Sequence, residues 1–253
     1  MGVSCAMGYA LGGAKIINKV NGTPKAKNQS LEQKEEELDV HSRLVQHLYY
    51  GVTHDVLVPS CTGLWEYVAG GDESLRTTFN AETAPEAAKM QIVGMHLNND
   101  MGTIIENSQV PDQPNVSGPG ANASSYLGRY LTKDYVEYIY KSIFGQNATL
   151  DTSIPIELSA YRVNAYIFDE ATQRYYLYYR NSGGTCGNVG STYVLQKATH
   201  VGNTIKIYQY GEDLETDNQG QPSSVTAKYY YVYTFEKESD GMYRFVSRTK
   251  EDI

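Results

Sequence analysis

Apolar residues recur at helical spacing through the first part of the chain and at alternate positions from Glu157 onward. In the first part, Leu38, Leu44, Val45, Leu48 and Val52 trace one face of a helix over roughly 31–52. A capping box from Ser30 to Gln33 opens it, and Glu32, Glu35, Glu36 and Glu37 crowd its first turns. A second helix is predicted over 83–98, where Pro85 sits in the first turn. A third, over 132–144, has Thr132 as N-cap, Val136, Ile139, Tyr140 and Ile143 on one face, and Gly145 as C-cap. Asp72 to Phe79 reads as a short helix, and 107–125, with three prolines, reads as an irregular loop.

The second part predicts six strands: Leu158 to Phe168, Arg174 to Arg180, Thr192 to Thr199, Thr204 to Tyr210, Thr226 to Glu236 and Met242 to Arg248. Hairpin signals stand at Asp169 to Gln173, Val201-Gly202-Asn203 and Ser239-Asp240-Gly241. Short links make neighbours antiparallel, and helices followed by strands without alternation give an α+β class. The expected architecture is N-terminal helices packed on a curved antiparallel β-meander of about six strands. Residues 18–30 are polar, contain Pro24 and read as a linker, so 1–30 form a tail and 31–253 one domain. Its helical part is 31–145 and its sheet part 157–250.

Alternation assigns Val163, Ala165, Ile167, Leu177, Ile205, Ile207 and Phe245 to the core face of that sheet. The opposite face then carries Tyr166, Tyr176, Tyr178, Tyr208 and Tyr210, interleaved with Arg162, Arg174, Arg180 and Lys206. In Thr226 to Glu236 both faces are aromatic or β-branched, which predicts a central strand covered on both sides. Tyrosine couples a flat apolar ring to a hydroxyl that tolerates water, at low entropic cost. This face is therefore a candidate ligand surface, while ordinary cross-strand pairing on a half-exposed sheet explains the same pattern without any ligand.

Composition sharpens this reading, because the chain holds 23 Tyr against 5 Phe and 1 Trp in 253 residues. With 21 Lys+Arg against 29 Asp+Glu the formal charge is −8, so nucleic acid is not an expected partner. Three cysteines exclude a disulfide-dense miniprotein, and pairing of Cys61 with Cys186 would leave Cys5 in the tail unpaired. The five histidines form no HExxH, the carboxylates from Asp213 to Asp217 lack the glycine and terminal glutamate of a calcium loop, and no metal or cofactor is expected. Cys186 lies in a Gly183-Gly184-Thr185-Cys186-Gly187 setting that offers backbone N–H donors, but no nucleophile, phosphate-loop or dinucleotide signature accompanies it. Residues 1–14 are apolar and Gly-rich, yet shorter than the ~20 residues a spanning helix needs. They read either as the outer end of a membrane anchor or as a frayed terminus.

The helix end Tyr140-Lys141-Ser142-Ile143-Phe144-Gly145, the strands from Tyr193 to Tyr210 and the closing Tyr229 to Ser247 resemble uncharacterised membrane-anchored extracellular proteins of Gram-positive gut bacteria. That resemblance implies a location outside the membrane and no particular chemistry. Helices followed by a curved sheet are also similar to NTF2-like and cystatin-like domains, a likeness of fold only. The combined expectation is an extracellular, cell-surface binding or structural module. Its ligand would be a cell-wall polymer or another surface protein, held by Tyr166, Tyr176, Tyr178, Tyr208, Tyr210, Arg174 and Lys206. The alternative is an NTF2-like enzyme, a hydrolase using His and carboxylate groups in a pocket between helices and sheet.

Overall fold

The structure, a computed structural model, describes residues 34–53, 73–97, 102–111, 128–157, 164–179, 191–216 and 222–253. These mix helices with two antiparallel sheets. The first sheet is built on an antiparallel run of β8 (Ser191–Val201), β9 (Thr204–Thr216), β10 (Pro222–Lys237) and β11 (Tyr243–Asp252). Gly202 and Gly241, with φ of 62° and 88°, make the two turns in which a side chain would be strained, at the hairpin positions read from the sequence. β1 (Glu36–Leu38) borders β8 and β2 (Thr78–Asn80) borders β11.

Contrary to the sequence expectation, the six strands do not make one meander. β6 (Asn164–Asp169) and β7 (Arg174–Tyr179) belong to a second sheet with β3 (Thr103–Ile105), β4 (Gly128–Thr132) and β5 (Ile156–Glu157), in the order β3-β4-β7-β6-β5. The free side of β7 pairs with β4, from more than forty residues upstream, so β8 has no place there. The β6–β7 turn itself forms as read, with the Thr172 N–H donating to Asp169 Oδ2 at 2.9 Å.

The first helix is also shorter than its apolar spacing suggests. α1 spans Arg43–Thr53, and Glu36 to Leu38 are extended, paired with His200 to Ala198 of β8. Ser42 starts the helix: the Val45 N–H donates to Ser42 Oγ at 3.4 Å, while Asp39 Oδ1 accepts from the His41 N–H at 2.9 Å and turns the chain. The capping box at Ser30 to Gln33 lies outside the described residues. The short helix expected over 72–79 is α2 (Glu73–Thr77), which gives way at Thr78 to β2.

The other two helices stand where the sequence puts them. α3 (Glu86–Leu97) follows Pro85, and α4 (Lys133–Phe144) has its Thr132 cap accepting from the Tyr135 N–H at 3.3 Å. It ends where the Gly145 N–H donates to the Lys141 carbonyl at 2.9 Å. α3 approaches β5 so closely that a Cβ on Gly94 would lie 2.2 Å from the Glu157 carbonyl oxygen.

One principal core joins α1, α3 and α4 to both sheets. It contains Val45, Val52, Ile92, Leu97, Ile139, Leu131, Tyr166, Tyr175, Leu177, Ile205, Ile207, Phe235 and Phe245, all buried. Burying one such aliphatic or phenylalanine side chain is worth roughly 1.5–3 kcal/mol relative to leaving it exposed. The far side of the second sheet has a smaller core of Val110, Tyr176 and Tyr178, flanked by Ile105, Tyr130 and Ile167. Both faces of β6 and β7 are therefore covered, which corrects the facing read from alternation. Antiparallel partners share a face, and the register pairs Tyr166 with Leu177, Ile167 with Tyr176 and Ala165 with Tyr178. Ile167 thus sides with the smaller core and Tyr166 with the principal one. Val163 lies outside the described residues.

Candidate functional site

The tyrosine face read from the sequence is not assembled as one surface. Tyr166 is buried in the principal core, whereas Tyr176 and Tyr178 fill the smaller one, where the Tyr178 hydroxyl donates to the Pro111 carbonyl at 2.7 Å. Arg174, expected as a cation beside the ligand, instead lies over the Tyr130 ring at 4.1 Å. Tyr208 and Tyr210 stay half-buried on the other sheet, on its side away from the principal core, with Lys206 exposed beside them. Arg162, Arg180, Cys5, Cys61 and Cys186 lie outside the described residues.

What the fold brings to Tyr208 and Tyr210 is Tyr230, which sequence reading placed on a covered face of a central strand. β10 is central, between β9 and β11, and its Tyr230 stands opposite Tyr210 while Val232 stands opposite Tyr208. The Tyr230 ring meets Tyr208 edge-on at 5.9 Å and 88°, and Tyr210 at 5.9 Å and 64°. These contacts follow from period-2 projection: Tyr208, Tyr210 and Tyr230 all point away from the face of Ile207, Gln209 and Tyr233. Val232 is 2% exposed beneath the rings, and Val194, opposite Tyr210 in β8, is 59% exposed. The signal that could have found Tyr230 is the β9–β10 pairing register, which fixes which tyrosines share a row.

Polar groups ring this cluster. The Tyr230 hydroxyl donates to Gln196 Oε1, and the Tyr210 hydroxyl donates to Glu212 Oε1 at 2.5 Å. That carboxylate acceptor favours the neutral phenol and pushes the Tyr210 hydroxyl up to about 12. Lys228 lies 3.7 Å from Glu212, and Lys197 lies 3.6 Å from Glu35 with its ammonium 5.4 Å from the centre of the Tyr208 ring.

The inner face of the same sheet carries a second tyrosine row, mostly buried. The Arg248 guanidinium carbon sits 3.4 Å from the centre of the Tyr231 ring, and its Nε donates to the Tyr233 hydroxyl at 3.3 Å. Tyr233 in turn donates to Gln209 Oε1 at 2.8 Å. Further along, Lys250 covers the Tyr229 ring at 3.8 Å, and the Tyr229 hydroxyl donates to Asp213 at 2.7 Å. Arg248 is 2% exposed and Tyr229 and Tyr233 1% each, whereas Tyr231 is half-buried.

Among the described residues no group of three His, Cys, Asp or Glu side chains converges as a metal site would require. Nor is any described helix long and apolar enough to cross a membrane. No family model, no curated protein and no solved structure matches the chain.

Proposed function

We propose that the chain is a binding module acting outside the membrane, and that the outward cluster of Tyr208, Tyr210 and Tyr230 is its contact surface for a cell-wall polymer. The observation that carries this reading is that these rings remain half-open at the centre of the sheet's outer face, while Tyr166, Tyr176 and Tyr178 are committed to cores. Aromatic rings beside an exposed Val194 offer area for stacking, and Gln196 and Glu212 hold the hydroxyls in fixed directions. A surface locked by cross-strand contacts loses little freedom when a ligand docks, which suits an extended polymer.

The test is Tyr208→Ala combined with Tyr230→Ala, assayed for sedimentation with Gram-positive wall fragments. Binding should fall by about tenfold or more, as expected when central aromatic anchors are removed. Truncating half-buried rings costs about 1–2 kcal/mol, so the thermal midpoint should stay within about 8 °C of the parent. Full binding by a folded double variant would overturn the proposal.

A further inference from the structure

Resting on that reading, we infer that the polymer taken by the outward tyrosines is an uncharged polysaccharide. Two cations on this face are matched by carboxylates, Lys197 by Glu35 at 3.6 Å and Lys228 by Glu212 at 3.7 Å. Lys206 shares a cross-strand row with Glu37, two strands and about 10 Å away, so that carboxylate offsets its charge only at long range. Arg174, one of the cations the sequence placed beside these tyrosines, is on the other sheet over Tyr130. A polyanion would therefore find Lys206 as its main local attraction, set against the overall formal charge of −8.

What the face does offer suits sugars. Tyr230 meets both Tyr208 and Tyr210 edge-on at 5.9 Å, so the three rings close into one aromatic patch on which a sugar can rest its C–H surface. Around them stand the Gln196 carboxamide, the Glu212 carboxylate and three phenolic hydroxyls, which donate to and accept from sugar hydroxyls without requiring an ionic partner.

Affinity electrophoresis of the whole chain through gels containing β-glucan, α-mannan or amylose, and separately polygalacturonate or poly(glycerol phosphate), tests this assignment. At least one neutral polymer should retard the protein, equally at low and high salt, and Tyr208→Ala with Tyr230→Ala should weaken retardation by about tenfold or more. Failure of every neutral polymer to retard it would overturn the uncharged-polysaccharide assignment. So would retardation by an anionic polymer alone that fades with salt. Wall-fragment binding that survives the double variant would instead overturn the tyrosine surface itself, so the two failures are distinct.

Discussion

Tyr176→Ala with Tyr178→Ala should abolish cooperative folding of the second sheet rather than trim a ligand surface. Both rings are buried, at 3% and 0% exposure, and with Val110 they form the smaller core. Large-to-small changes of buried aromatics cost roughly 3–5 kcal/mol each, and neighbouring sites combine imperfectly, so the pair should lose about 5 kcal/mol or more. The double change also removes the hydroxyl that satisfies the Pro111 carbonyl, loosening the segment that covers this face. Against a typical total of about 5–15 kcal/mol, that loss leaves much of the protein unfolded. Urea titration followed by circular dichroism reads it directly. A midpoint close to the parent's would mean that these tyrosines face solvent after all.

Arg248→Ala should cost about 3 kcal/mol, the scale of removing a buried, well-packed side chain together with its hydrogen bond. The guanidinium is packed flat against Tyr231 and donates to Tyr233, whose hydroxyl is also bound to Gln209, so truncation opens a void and removes one end of that chain of bonds. Arg248→Met restores the apolar stem without the charge and should recover more than half of the loss. Arg248→Lys should recover less, since an ammonium cannot lie flat on the Tyr231 ring. Equal midpoints for the alanine and methionine variants would show that the stem's packing is immaterial and contradict the buried stack.

The parts of the fold legible in the sequence are those decided locally. α4 declares itself through Thr132 and Gly145, α3 through Pro85 and its alanines, and the hairpins through Gly202 and Gly241, because each signal lies within a few residues of what it directs. The split into two sheets is not local. It depends on Gly128 to Thr132, a five-residue strand that reaches β7 across a long separation in sequence. The three glutamates at 35–37 suit a helix start equally well as an edge strand, and pairing with β8 decides for the strand at Glu36 to Leu38. Tyrosine misleads for a chemical reason: with its hydroxyl bonded, as Tyr178 is to Pro111, it packs as a core residue, yet its polarity reads as solvent-facing. Tyr208 and Tyr210 were legible as outward because Ile205 and Ile207 mark the opposite face unambiguously. Tyr230 was not, since Tyr229 and Tyr231 flank it with identical chemistry.

The division of tyrosines between core and contact surface is tested most directly by nitration with tetranitromethane, mapped by peptide mass spectrometry with and without wall fragments. Tyr208 and Tyr230 should react well ahead of Tyr166, Tyr176 and Tyr178 in the folded protein. Tyr210 should lag behind its two neighbours, because its hydrogen bond to Glu212 suppresses the reactive phenolate. Wall fragments should protect Tyr208 and Tyr230. Nitration of Tyr176 and Tyr178 as fast as Tyr208, or unchanged reactivity of Tyr208 and Tyr230 with wall material bound, would contradict the account.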